Sequence, residues 1–348
     1  MTTHEMRKRR GGSWGKLLAL GVLALFASCG ACGPQNGASA PAASAGTSAL
    51  PTFQTDRAWA DLLMQCSFGT RNPGSAGHAA QLAWMRTTLA PLADRVVEQP
   101  FSTATSWGGP YDFVNVIAVF NGKAPGAATM VLAHWDTRAV SDEDPDPARR
   151  KQPTMGANDG AAAVGILLEL ARLFKAAPPP RPVYLVFLDA EDTGKEGSNL
   201  LDMGWCLGSN YLAQHWPAEL PKPAQGALLD LVGGTKHDPR LPVRTDIGGD
   251  DIFDVQVEEN SFKMCPVVVN EIWTAAEKRG ALDFKRSLGS PLIDDHLAFN
   301  NVGIPTADVE DFPPPVWHTA DDLPEYCSSA ALGEVGDVME GWLYGQGS

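Results

Sequence analysis

Six residues of this sequence are candidates for a metal site by side-chain type: His134, Asp159, Glu191, Asp192, Asp230 and His318. Imidazole nitrogen and carboxylate oxygen are donors that suit Zn²⁺, and a catalytic zinc keeps one coordination position open. Glu191 directly precedes Asp192. In such a pair one carboxylate can bind metal while its neighbour moves protons as a base. No short motif joins the six. Taken singly, Asp159 reads as a helix cap, His134 as a core histidine, Glu191-Asp192 as a solvated loop and Asp230 as a turn former. The weight lies in their order and in their repeated placement after apolar runs.

Those runs are the elements that must position the six. Residues 128–133 form a continuous apolar stretch ending at His134, residues 182–188 lead into Asp189-Ala190-Glu191-Asp192, and residues 227–229 lead into Asp230. Each reads as a strand buried on both faces. Residues 95–101, 111–120 and 303–309 read as further strands. Helical spacing marks residues 56–68, 76–92 and 330–343. Asp159 is expected to open a long helix as its N-cap, with Leu167, Leu168, Leu170 and Leu173 on or near one face. Buried strands alternating with helices predict an α/β fold: a single domain with a central mixed, mostly parallel sheet flanked by helices. Open sheets of this kind place their sites beyond the carboxyl ends of the strands.

The 348 residues carry a net charge of −14. A nucleic-acid binder needs a basic face, so no nucleic-acid partner is expected. Arg7, Lys8, Arg9, Arg10 and Lys16 precede an apolar run over residues 17–27. That run is short for a bilayer span and reads as the core of a secretory leader over residues 1–28. Phe26-Ala27-Ser28-Cys29 is similar to a bacterial lipoprotein cleavage box. An exported lipoprotein is therefore expected, on the periplasmic side or cell surface, with membrane contact only through the lipid; simple secretion is the alternative. Without residues 1–28 the chain holds 22 basic and 40 acidic residues, a net −18. Residues 29–51 are rich in Ala, Ser, Gly and Pro and read as a linker; residues 52–348 are expected to form one domain that carries the six candidates. Cys66, Cys206, Cys265 and Cys327 make no C-x-x-C pair, which leaves both disulfides and buried thiols open.

Across most of residues 55–345 the sequence resembles the zinc aminopeptidase and glutaminyl cyclase superfamily, zinc-dependent glutaminyl-peptide cyclotransferases included. The matching stretches are VLAHWDTR, GANDGAAAVGILLELARLF, VYLVFLDAED, GSNYLA, ALLDLVGG, IDDHLAFNNVGIPTADVEDF and VWHTADD. In the aminopeptidase branch the resemblance implies two zinc ions held by His134, Asp159 as bridge, Asp192, Asp230 and His318, with Glu191 as base. In the cyclase branch it implies one zinc on Asp159, Asp192 and His318. Glu191 then moves the proton, and Asp230 and Asp294 form a hydrogen-bond network beside it. Asp192 stands where animal cyclases have Glu, and Asp308 near a position where they have His.

Three features favour the cyclase: Trp317 immediately before His318, Asp294-Asp295-His296 in the place of the cyclase D-D-H, and Trp205 in the loop after the Glu-Asp pair. Trp317 and Trp205 are expected to wall the substrate pocket, with core packing as the alternative. The expected substrates are peptide or protein amino termini. Cyclisation of an amino-terminal glutamine is the preferred reaction and dizinc aminopeptidase action the alternative. A non-catalytic domain ranks last, since all six positions are filled.

Overall fold

In the computed structural model of the chain, the described residues are 51–195, 204–235 and 253–346. The expected leader, Cys29, and the linker as far as residue 50 lie outside them. Strands β1 (Arg95–Thr105) and β2 (Gly108–Phe120) form an antiparallel pair. β3 (Thr129–His134), β4 (Val183–Leu188), β5 (Gln225–Asp230) and β8 (Thr306–Glu310) follow the apolar runs. The six join in the order β1-β2-β4-β3-β5-β8. β2 meets β4 antiparallel, and β4-β3-β5-β8 pair in parallel. The fold is thus a single α/β domain around a mixed, mostly parallel sheet. β6 (Val255–Val257) and β7 (Phe284–Leu288) form a separate parallel pair.

Every residue of β3 and β4 is buried, because helices cover both faces of the sheet. Alternate side chains go to opposite sides. Val131, Ala133, Leu185, Phe187, Leu229 and Val309 pack into one apolar cluster, which includes Leu167, Leu170 and Phe174. Met130, Leu132, Val186, Leu188 and Leu228 pack into the other, with Leu212 and Phe299. The first cluster takes its helical side chains from α1 (Thr55–Ser67), α3 (Ala163–Ala176), α6 (Pro266–Arg279) and α8 (Ser329–Gly345). Helix α2 (Ala76–Leu89) adds Met85 and Leu89. α1 lies so close to α3 that a Cβ on Gly165 would stand 2.6 Å from the Ala58 carbonyl oxygen. Leu167 is fully buried; truncating such a leucine to alanine typically costs about 2–5 kcal/mol.

The structure departs from expectation at one functional point. Asp159 does not cap the long helix. The chain makes a single wide turn over Ala157–Ala162, non-helical at Asp159 (φ −81°, ψ 91°) and Gly160 (φ 96°), and α3 begins only at Ala163. Gly160 lies 3.1 Å, measured from an added Cβ, from the Asp136 carbonyl oxygen and from the His134 ring. Its positive φ and missing side chain permit the kink, and the kink frees the Asp159 carboxylate from capping. Short helices α4 (Leu207–Gln214), α5 (Glu259–Met264) and α7 (Asp295–Asn300) complete the fold. The four body cysteines are free thiols, with Cys206 and Cys265 buried.

Candidate metal centre and active-site cleft

His134 is the last residue of β3, and Asp230 ends β5. Glu191 and Asp192 follow β4 by three and four residues, and His318 lies on the loop between β8 and α8. Parallel register brings these ends to one edge, and the Asp159 kink faces them. All six sequence-chosen residues are at most 7% exposed.

Asp159 sits between two groups. His134 Nε2 lies 3.0 Å from Asp159 Oδ1 and 3.2 Å from Asp230 Oδ1. On the other side His318 Nε2 lies 3.8 Å from Asp159 Oδ2 and 3.5 Å from Asp192 Oδ1. In each trio, His134–Asp159–Asp230 and Asp159–Asp192–His318, one ligand atom per residue falls within 4.8 Å of the others. Asp192 Oδ2 is buried without a hydrogen-bond partner among the described residues, as are the Nδ1 atoms of His134 and His318, whose nearest carboxylates are Asp136 and Asp142. A buried carboxylate oxygen left alone is costly, and a cation between Asp159, Asp192 and His318 removes that cost. The donor set is the nitrogen–oxygen mixture that zinc accepts, so the residues present fit the ion.

Glu191 stands beside these ligands. It groups with Cys206 and Asp294 within the same 4.8 Å, and Cys206 Sγ lies 3.4 Å from Glu191 Oε1. Burial pushes Glu191 well above the ordinary glutamate range; His134 opposes this, while Asp192, Asp295 and Asp230 add to it. A base raised in this way is better matched to proton transfer near neutral pH. Burial, and then the Arg138 guanidinium, push His318 down to about 3. Its imidazole is therefore neutral, the form that binds metal. Asp294 caps α7, accepting from the Asp295 N–H, and lines the cleft.

Sequence reasoning missed the groups that hold this site. Asp136 accepts from the N–H groups of Glu191 (3.1 Å) and Asp192 (3.3 Å), and approaches His134 Nδ1 at 3.5 Å. Asp322 accepts from the N–H groups of Asn158 (2.8 Å) and Asp159 (3.1 Å). Arg71 spans the carbonyls of Trp135, Met155 and Gly156. Arg138 donates to Asp192 Oδ1 at 2.8 Å and to both oxygens of Asp142 at 2.6 Å. The HWDTR stretch held Asp136 and Arg138 in view; their partners Glu191 and Asp192 lie some 55 residues downstream, too far for spacing to reveal. Strain gathers here too. Ala190, Cys206, Leu231 and His318 are the non-glycine residues at positive φ among those described, and each is a site residue or its neighbour. Such backbone costs on the order of 1–3 kcal/mol per residue and persists where the surroundings enforce it.

A cleft of about 250 Å³ opens over the centre, lined by Asp159, Glu191, Asp230, Asp294, Glu310 and His318 on its polar side. Trp205 and Trp317 form part of its apolar wall. Both sequence-chosen tryptophans thus face the site. Trp317 stacks on the His318 ring at 3.7 Å between centroids, and Trp205 lies parallel to the same ring at 5.7 Å. Phe312 meets Trp317 edge-on, and Arg138 covers Trp205 at 4.5 Å.

Sheet, kink and cleft define a class: an α/β protein with histidine–carboxylate groups able to hold metal at the carboxyl edge of its parallel strands. A family model supplies the particular assignment, matching residues 115–343: the chain belongs to peptidase family M28, a family of enzymes. A glutaminyl cyclase from Bacteroides thetaiotaomicron, solved bound to N-acetylhistamine, is 30% identical; the match covers 85% of this chain and 99% of that one at a TM-score of 0.75. A Zn-dependent exopeptidase from Parabacteroides distasonis is 28% identical over the same shares, with a TM-score of 0.76. The glutaminyl-peptide cyclotransferase-like protein of Bos taurus is 28% identical over 281 residues, spanning 72% of this chain and 66% of its own length. Cyclases and exopeptidases share this fold, so the likeness implies zinc without fixing the number of ions.

Proposed function

We propose that this protein cyclises the amino-terminal glutamine of peptides to pyroglutamate with release of ammonia. The observation that carries the choice over the peptidase is the inequality of the two trios around Asp159. His134 meets Asp159 and Asp230 at 3.0 and 3.2 Å, within hydrogen-bond range. The His318 trio is wider and leaves Asp192 Oδ2 alone. The three residues of one trio already meet at hydrogen-bond distance through His134 Nε2, leaving His134 Nδ1 unpartnered on the far side of the ring, while the wider trio has room for a cation beside Asp192 Oδ2. That asymmetry suits one zinc, on Asp159, Asp192 and His318.

When bound there, zinc supplies a Lewis acid to the side-chain amide carbonyl of the substrate. Glu191 takes a proton from the substrate amine and returns it to the departing nitrogen. Amine and carbonyl belong to one molecule, so the cleft gains by holding a folded conformer and needs no activated water. Trp317 and Trp205 exclude water, and Asp294 and Asp230 orient the polar end.

The second reading, a dizinc aminopeptidase, is favoured by the completeness of the His134–Asp159–Asp230 trio. Incubating the purified protein with Gln-initiated and Leu-initiated peptides, read by mass, separates the two. Loss of roughly 17 Da, one ammonia, from the Gln peptide marks cyclisation. Release of a whole residue marks the peptidase, and turnover of neither returns the chain to a binding role. We further propose export by the basic-apolar leader and anchoring through lipid on Cys29; incorporation of labelled palmitate, lost in Cys29→Ala, tests it.

A further inference from the structure

Glu310 is unused by the chemistry above, yet it lines the same cleft. Parallel register between β5 and β8 pairs Asp230 directly with Glu310. Neighbouring residues of parallel strands share a face, so two carboxylates stand side by side at the sheet's edge, and like charges so placed are destabilising. Asp308, two residues earlier on the same face, is engaged by His296 Nδ1 at 3.2 Å. Burial, and the neighbouring carboxylates of Asp308, Asp294 and Asp230, push Glu310 well above the ordinary glutamate range. Its Oε2 is buried without a hydrogen-bond partner among the described residues, on a side chain whose residue is only 8% exposed. Asp230, Asp294 and Glu310 each offer one oxygen, all within 4.8 Å of one another.

Three acceptors at that spacing match one ammonium group. An –NH₃⁺ has three donors and no acceptor. With each N–H···O bond about 2.8 Å long, the tetrahedral angle sets its partners about 4.6 Å apart. We propose that Glu310 is a specificity-determining residue: with Asp230 and Asp294 it binds the charged amino terminus of the incoming peptide and selects against blocked termini. The proposal rests on the cleft being a peptide amino-terminus site and holds for cyclase and peptidase alike.

The test uses the zinc-loaded protein and a D-leucine-initiated tripeptide chosen to resist both reactions, with its amino terminus free or acetylated, and reads Kd by calorimetry. Wild type is expected to bind the free form at least tenfold more tightly. Glu310→Gln should reduce that ratio about tenfold, the order of one charge-assisted hydrogen bond, and Glu310→Asp, one methylene shorter, about threefold. Equal binding of both peptides by wild type overturns the proposal. So does a wild-type ratio in Glu310→Gln, or in Glu310→Asp should the Gln variant not fold. Mn²⁺ held by wild type beyond its zinc and lost in Glu310→Gln would assign the cluster to a metal and overturn it too. Binding is read without turnover, so a wild type inert toward Gln and Leu peptides sinks the proposed function and leaves this result standing.

Discussion

Two trios share the Asp159 carboxylate and differ in what satisfies them. On the His134 side, imidazole and two carboxylates meet at hydrogen-bond distance, with Asp136 behind the ring. On the His318 side the corresponding distances are 3.5 and 3.8 Å, two indoles lie near-parallel to the imidazole, and Arg138 takes one oxygen of Asp192. The same residue types thus answer to different surroundings. One trio is held together by its own hydrogen bonds. The other is wider, with a guanidinium on one oxygen of Asp192, and the unpartnered Asp192 Oδ2 points to an ion. Counting ligands in the sequence makes the two equal; their neighbours make them unequal.

The largest effect that could break this comparison is in metal content. His318→Ala should lose bound zinc and bring turnover to background, while His134→Ala should keep one zinc per chain and measurable turnover. Metal analysis after gel filtration decides it, and loss of zinc from both variants would restore the symmetry of a dizinc centre. Chelation extends the comparison to stability. Zinc at 100 times its Kd adds about 2.7 kcal/mol to folding, so a chelator should lower the melting temperature of wild type and His134→Ala and leave His318→Ala unmoved. The next effect is chemical. Glu191→Gln should keep zinc and lose about 10²- to 10⁴-fold in turnover of a Gln-initiated peptide. A rate near wild type would remove Glu191 as the base.

How much of this was legible in the sequence follows the same division. The strands could be read because burial on both faces makes parallel strands continuously apolar, and each pointed to the polar residue at its end. That reasoning placed His134, Asp192 and Asp230 on the correct edge. Applied once more, to a strand ending in Val309-Glu310, it would have singled out Glu310. It misread Asp159 as a helix cap because an Asp before an apolar helix usually is one; the kink depends on Gly160 fitting against Asp136 and His134, a contact across 24 or more residues. The inequality of the trios was not legible at all. It is set by Arg138, Asp136 and Asp322 through their bonds to Asp192 and to the backbone of Glu191, Asp192, Asn158 and Asp159, 54 to 164 residues away in the chain.

Asp322 offers the mildest and most discriminating test, because it stands behind the carboxylate that both trios share. Its two oxygens accept from the backbone of Asn158 and Asp159, and Asn158 in turn accepts from the Gly233 N–H at 2.7 Å. The kink at Asp159 and the loop after β5 are therefore tied to one buried carboxylate. Asp322→Asn keeps the volume but offers one acceptor oxygen in place of two. Groups that orient ligands in this way are worth about 10- to 100-fold in metal affinity. Zinc affinity, measured by competition with a chromophoric chelator, should fall by that factor, while the His134–Asp159 contact suffers equally. If the inequality of the trios is local to their own neighbours, Asp322→Asn/His134→Ala should lose no more zinc affinity than Asp322→Asn alone. A double variant that loses much more would mean that His134 supports the His318 trio through Asp159, and the two sides would have to be treated as one unit.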